Sequence, residues 1–451
     1  VTDNDSRVAE LAAAVQRVLP SVRADLERLV RIPSVSVADF DQSHVRASAE
    51  AVATLFREAG AADVQILSVP GGAPAVVATY PAPEGAPTAL LYAHHDVQPP
   101  GPDELWESPA FEPTERDGRL YARGAADDKA GIAAHLAALR AYDGKPPVGV
   151  TIFVEGEEEI GSPTLGQFLA AYRDRLASDM MVLADSGNWA IGQPALTVSL
   201  RGLVDCYVNV RVLEKGVHSG MFGGAVPDAL TALCRLVATL HDEEGHVAIP
   251  GFGPAMDSEL DIPEDRLRAE AGMLDGVGLI GSGRLTSRVW NQPALSVLAI
   301  DAPPTKKASN TLLASARAKL SLRVPPGSDA KAAYEALVKH LHENAPWGVQ
   351  VTVDPGEIGQ PYAIDATGPR YDAARQAFAD AWGVEPVNMG IGGSVPFLAE
   401  FADQFPEAAL LVTGVEDPAS GAHGPNESLH LGEFAKVCLA ETLLLDKLSR
   451  L

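Results

Sequence analysis

Between residues 88 and 185 the chain repeats one pattern three times: a short, nearly unbroken apolar run that ends abruptly in histidines or acids. "TALLYAHHD" is the first such run, "VGVTIFVEGEEE" the second and "DMMVLAD" the third, with helical spacing over 129–141 and 163–176 between them. Runs of Val, Ile and Leu without alternation are those of strands buried on both faces, and strands alternating with helices build a mostly parallel sheet. That constrains the site as well as the fold. Parallel strands end at one common edge, which is where an open α/β sheet takes its ligands. His94, Asp96, Glu158, Glu159 and Asp185 are therefore expected to converge there.

The rest of the chain divides by the style of its strands. Helices are predicted over 7–31, stopped by Pro33, and over 45–59, before the strand "PAVVATY". Near residue 197 the pattern changes to period two, in "LTVSLRGLVDCYVNVRVLE", "LLASARAKLSLRVPP" and "WGVQVTVDP", as half-exposed antiparallel strands require. Helices over 226–241 and 329–343 lie between them, and the Gly- and Pro-rich stretch 245–305 reads as long loops or an embellishment. The doubly wound style then returns with a helix over 368–382, the strand "AALLVTG" and a helix over 432–449. The expected fold is α/β, a doubly wound, mostly parallel sheet domain formed by 1–196 and 364–451, with a smaller α+β domain, 197–363, inserted.

Composition narrows the partners. The 35 Lys and Arg stand against 60 Asp and Glu, and the net charge of −25 repels nucleic acid and anionic membrane alike. The cysteines Cys206, Cys234 and Cys438 are isolated from one another, which argues against disulfides and for a reducing compartment. The first 30 residues form a charged amphipathic helix without a signal-type apolar core, and no uncharged apolar run reaches 18 residues, so a cytoplasmic protein is expected.

Two further stretches join the strand ends. "GAHGPNE" places His423 in a loop after the strand at "AALLVTG", and "RGAADDKAG" places Asp127 at a helix start behind the turn-forming Gly124. Singly, each residue has a plain structural reading. A strand-end His is commonly hydrogen-bonded, "EGEEE" could be a solvated acidic loop, the acids of "DDK" suit a helix N-terminus and Asp185 could cap a turn. His95 alternates to the other face of its strand and reads as structural. Together, two imidazoles and three carboxylates are the donors that a pair of borderline divalent ions takes, zinc first, with manganese or cobalt as alternatives. Two ions about 3.5–4 Å apart need one shared carboxylate. The set divides with His94 and Asp185 on one ion, His423 and Glu159 on the other and Asp127 shared, which frees Glu158 to act as base toward the attacking water.

"HHD", "ARGAADDKAG", "EGEEEIGS" and "GAHGPNE" resemble the motifs of the zinc aminoacylase and carboxypeptidase family of dinuclear metallopeptidases, over residues 90 to 427. "HHDVQP" and "RGAADDKAG" look closer to its carnosinase-like dipeptidase branch, and Asp185 fits that branch too. The resemblance implies His94, Asp127, Glu159, Asp185 and His423 as ligands, Glu158 as general base and Asp96 as the carboxylate that orients His94. "GVHSGMFGG" resembles the segment of a lid and dimerisation domain whose His, here His218, polarises the scissile carbonyl in the partner subunit's active site. "NTLLASARAKLSLR" implies Asn310 and Arg323 as substrate contacts, and "GGSVP" implies Gly393 and Ser394 at the substrate carboxylate. A homodimeric hydrolase of small peptides follows. The sequence departs from the pattern at Ala93, at Leu313 and at Gly390–Ile391, where carnosinase-like members carry a charged pair, and the last leaves the dipeptide preference open. An N-acyl amino acid deacylase would use the same machinery. A metal-binding scaffold without catalysis would be expected to lack the base, which is present. A dinucleotide-binding protein would need a G-x-G-x-x-G after its first strand, which is missing.

Overall fold

The structure, a computed structural model, describes residues 3–252, 257–393 and 396–451. The chain separates into two units, the first formed by Val1–Val198, Ile364–Met389 and Phe397–Leu451, the second by Ser199–Ala363 and Gly390–Pro396.

In the first unit the strands lie in the order Asp63–Leu67, Ala75–Tyr80, Gly149–Glu155, Thr88–His94, Met180–Leu183, Ala409–Val412 and Ala195–Leu200. Pairing is parallel from Gly149–Glu155 through to Ala409–Val412, whereas Ala75–Tyr80 and Ala195–Leu200 run against their neighbours. The four central strands are the apolar runs, and both of their faces are covered. Leu91, Ile152, Val154 and Val182 pack with Val52 and Phe56 of helix Ser43–Glu58, Ile132 and Leu136 of helix Lys129–Ala141, and Leu444 of helix Leu431–Leu448. On the opposite face Tyr92 and Phe153 meet Phe168, Phe397 and Phe401, with Tyr92 and Phe397 ring centroids 4.7 Å apart. Aromatic clusters of this kind gain about 0.5–1.5 kcal/mol per pair beyond area burial. A small sheet, Thr114–Arg116, Arg119–Tyr121 and Ser428–His430, brings two distant motif-bearing segments side by side.

The second unit is a four-stranded antiparallel sheet in the order Ala294–Asp301, Ser315–Val324, Gly202–Arg211, Gln350–Gly359. Its period-two strands bury one face: Cys206, Val208, Val210 and Leu320 lie under Leu233 and Leu236 of helix Ala229–Ala238 and under Leu337 and Leu341 of helix Ala330–Glu343. Both helices start at a side-chain cap, Asp228 accepting from the Thr231 amide at 2.9 Å and Asp329 from the Ala332 amide at 2.7 Å. On the other face Arg317 lies 4.4 Å from the ring centroid of Tyr207.

One feature departs from the sequence reading, and another decides between its alternatives in favour of an embellishment. Gly390–Pro396, expected with the sheet domain, groups with the second unit because Arg201 holds it: the Arg201 amide donates to Ile391 O at 3.2 Å and its Nε to Gly392 O at 3.0 Å. The stretch 245–305 is not all loop, since it contains helices Glu264–Ala271 and Leu285–Trp290 and the edge strand Ala294–Asp301. Among the described residues no helix is long and apolar enough to cross a membrane.

Candidate metal centre

His94 is the last residue of its strand, Glu158 and Glu159 open a short 3-10 turn just after Gly149–Glu155, and Asp185 follows Met180–Leu183. Asp127 lies two residues before the start of the helix Lys129–Ala141, and His423 lies in the loop beyond Ala409–Val412 with φ 63°. The turn into Asp127 depends on Gly124, whose φ is 80° and where a Cβ would stand 2.7 Å from Val97 Cγ1.

The parallel edge brings these side chains together around Asp127. Its Oδ1 lies 3.0 Å from His94 Nε2 and its Oδ2 3.0 Å from His423 Nε2, so each carboxylate oxygen faces a different imidazole. His423 Nε2 is also 3.2 Å from Glu159 Oε2, while His94 Nε2 is 3.8 Å from Asp185 Oδ1 and 4.0 Å from Glu158 Oε2. At this edge two sets of three donors have ligand atoms within 4.8 Å of one another: His94, Asp127 and Glu159, and His94, Glu158 and Asp185. Glu158 thus stands as close to the His94–Asp185 side as a ligand would, a proximity that the sequence division into ligands and base does not anticipate.

The surroundings hold these groups in place. His94 Nδ1 is 3.0 Å from the main-chain carbonyl of Asp96 and 3.4 Å from its carboxylate. The Asp96 carboxylate instead accepts the amides of Glu158 at 3.2 Å and Glu159 at 3.0 Å, so it fixes the acidic turn as much as the imidazole. His95 is buried with Nε2 2.8 Å from Pro74 O, and burial pushes its pKa down to about 4, which keeps it neutral and structural. Gln98, which sequence reasoning passed over, grips both oxygens of Glu159: its amide donates to Oε1 at 3.0 Å and its Nε2 to Oε2 at 2.8 Å. Nor is "EGEEE" a solvated loop. Glu155 accepts from Tyr92 Oη at 2.8 Å, and Glu157 accepts the Ala73 amide at 2.9 Å and the Thr164 amide at 2.7 Å. Only their places within quoted motifs could have flagged Gln98 and Glu157.

Burial and mutual repulsion set the charge of each group in the cluster. Burial, then repulsion by Asp185, holds Glu158 far above the ordinary carboxylate range; burial and Asp127 raise Glu159; burial pushes Asp185 up to about 7. Burial opposes the Asp127 charge, yet the two histidines hold its carboxyl well below the usual range. Hydrogen bonds to Asp127 and Glu159 raise His423 to about 11, and burial of His94 is outweighed by Asp127 and Asp96, which raise it too. Four carboxyl groups crowd two imidazoles in a water-poor space and draw in protons to do so. Divalent cations compete for those same positions, and this nitrogen-and-oxygen donor set without thiolate fits them.

The remaining sequence candidates lie in the second unit. His218 ends the two-residue strand Val217–His218, exposed, with its Nδ1 accepting the Gly220 amide at 3.0 Å. The same short pairing brings Asn310 beside it, the Ser219 amide donating to Asn310 O at 2.9 Å. Arg323 is half-buried on the strand Ser315–Val324, opposite Leu203 and Ala294. Gly393 is half-buried in the segment that Arg201 holds, and Ser394 lies outside the described residues.

Comparison with known proteins gives the same picture. The chain matches the peptidase family M20/M25/M40 over residues 90–446. It is 37% identical over 364 residues to the cysteinylglycine-S-conjugate dipeptidase of Corynebacterium striatum, covering 79% of this chain and 80% of that protein. To the Beta-Ala-His dipeptidase of Homo sapiens it is 28% identical over 395 residues, 82% of this chain and 75% of that one. The solved structure of the di-peptidase Dug1p from Saccharomyces cerevisiae shares the fold with a TM-score of 0.82 at 22% identity, covering 98% of this chain and 99% of that chain. The chain belongs to peptidase family M20/M25/M40 and is a metal-dependent peptidase.

Proposed function

We propose that the chain hydrolyses the amide bond of dipeptides or short peptides that carry a free C-terminal carboxylate. The observation that carries this reading is Asp127 with one oxygen toward His94 and the other toward His423, and Glu158 beside them. His94 and Asp185 would hold one divalent ion, His423 and Glu159 the other, and Asp127 both. Zinc is the ion of choice, with manganese and cobalt as alternatives. Such ions supply Lewis-acid activation of water and stabilise negative charge that develops on a carbonyl oxygen.

The chain's own groups do the rest. Glu158 takes the proton of the attacking water on its carboxylate and delivers it to the leaving amine nitrogen. Gln98 and Asp96 keep Glu159 and the turn that carries Glu158 in one orientation. His218 donates to the scissile carbonyl oxygen in the partner subunit of a homodimer formed through the second unit. Arg323 pairs with the substrate carboxylate, for which its planar fork suits two-point contact, and Asn310, Gly393 and Ser394 complete that contact. A cytoplasmic setting agrees with the isolated cysteines. The names of the two relatives, both dipeptidases, support the dipeptidase over the deacylase reading.

The test uses metal-stripped protein restored with zinc or manganese, assayed on free dipeptides against N-acetyl and N-succinyl amino acids, with Glu158→Ala alongside. Dipeptide cleavage that disappears in the variant while its metal content stays is the expected result. Cleavage of acyl amino acids alone moves the chain to the deacylases, and activity retained in Glu158→Ala removes the base assignment.

A further inference from the structure

The motifs "RGAADDK" and "GAHGPNE" each hold a residue for which the reaction has no use, and the two residues are paired in the interior. Arg123 Nη1 donates to Glu427 Oε2 at 2.6 Å, with side-chain exposures of 1% and 0%. Every acceptor position on Glu427 is taken by this one loop. Oε2 also accepts the Gly124 amide at 3.1 Å, and Oε1 accepts the amides of Ala126 and Asp127, both at 3.0 Å. The carboxylate is the template on which the turn into Asp127 is wound. From the other side, Arg123 Nη2 donates to His423 O at 3.0 Å, so the guanidinium grips the backbone of the second imidazole. A buried ion pair is seldom kept for stability, because apolar groups of similar volume usually do as well. Here it ties together the two segments that bear Asp127 and His423.

We propose that Glu427 and Arg123 are positioning residues that set the place of the shared carboxylate Asp127 relative to His423, and with it the spacing of the two cation positions. The inference rests on the two-ion reading given above. It makes a sharp distinction between carboxylate and amide at 427. Glutamine has one oxygen, and whichever way its amide is turned, an NH2 faces two donors.

The experiment is a zinc-binding isotherm at chelator-buffered free zinc, with bound metal counted by atomic emission, on the parent, Glu427→Gln and Arg123→Lys. Parent protein takes two ions. Glu427→Gln retains a parent-like circular dichroism spectrum but binds at least one ion about 10–100-fold more weakly, the range found when a group behind a metal ligand is lost. Excess zinc restores its kcat on dipeptide, with KM unchanged. Arg123→Lys keeps the charge beside Glu427 and loses the hold on the His423 carbonyl, so its isotherm weakens too, and it gives the readout if Glu427→Gln does not fold. A lower melting temperature with a parent-like isotherm in both variants makes the pair merely structural and overturns the proposal. A parent that takes up no divalent ion overturns the two-ion reading itself, together with this inference; two ions bound with the same affinity in parent and variants overturn this inference alone.

Discussion

His135 and Glu441 offer a clean test of how the helix behind the metal centre is anchored. His135 is fully buried on helix Lys129–Ala141, its Nδ1 2.8 Å from Glu441 Oε1 and 2.9 Å from Oε2, and its Nε2 3.0 Å from Tyr92 O. A carboxylate and a carbonyl both accept, so both ring nitrogens donate and the ring is an imidazolium. Burial opposes that charge, but Glu441 outweighs it, and the His135 pKa is raised above 6.5. Removing one partner of a buried pair costs about 3–5 kcal/mol, so Glu441→Gln is expected to destabilise the first unit by that amount at pH 6. The sign of the pH dependence follows from the raised pKa. Above pH 6.5 the folded chain holds a proton that the unfolded chain has released, so the contribution is complete below 6.5 and fades as pH rises through the folded-state pKa. Urea unfolding of parent and Glu441→Gln, followed between pH 6 and 9 in excess chelator, should give a gap that is widest at pH 6 and narrows upward. A gap under about 1 kcal/mol at pH 6, or one that widens with pH, refutes the reasoning.

Two other substitutions probe neighbouring contacts. Gln98→Ala removes the Nε2 bonds to Glu159 Oε2 and to its main-chain carbonyl, leaving only the main-chain amide bond to Oε1, without touching the substrate contacts, so zinc affinity, read by chelator competition, should fall about 10-fold or more with little change in KM. Lys129 is buried with its Nζ donating to Leu29 O at 2.8 Å and Ile32 O at 2.7 Å; Lys129→Met removes both bonds but leaves the carbonyls their Ile32 and Ser34 amides, and should cost about 0.5–1.5 kcal/mol for each bond lost, measured by thermal unfolding.

What was legible in the sequence follows from the reach of each signal. An apolar strand buried on both faces announces itself over a few residues, and the geometry of a parallel sheet then gathers His94, Glu158, Glu159 and Asp185 at one edge without further information. The strand Ala294–Asp301 was not legible because it lies at a sheet edge with mostly exposed residues and Gly-rich neighbours, so neither period nor composition marks it. The segment from Gly390 is held by one residue, Arg201, through its main-chain amide and its guanidinium, about 190 residues away in the chain. Glu427 and Gln98 were passed over for a similar reason: their partners are backbone amides or carboxylates of distant loops, and no local spacing encodes a contact of that kind. The acids of "EGEEE" look alike in the sequence and differ only in what each one touches.

The order of strands in the central sheet also has a bearing on how the enzyme is made. Ala409–Val412 lies between Met180–Leu183 and Ala195–Leu200, so two strands that are close neighbours in sequence leave a vacancy that a segment more than 200 residues later must fill. During translation at about 5–20 residues per second, the antiparallel unit can close on itself while the parallel sheet still has an open slot at its heart. His423 follows that late strand. Until that strand is made, the nascent chain lacks His423 and holds only part of the donor set gathered around Asp127.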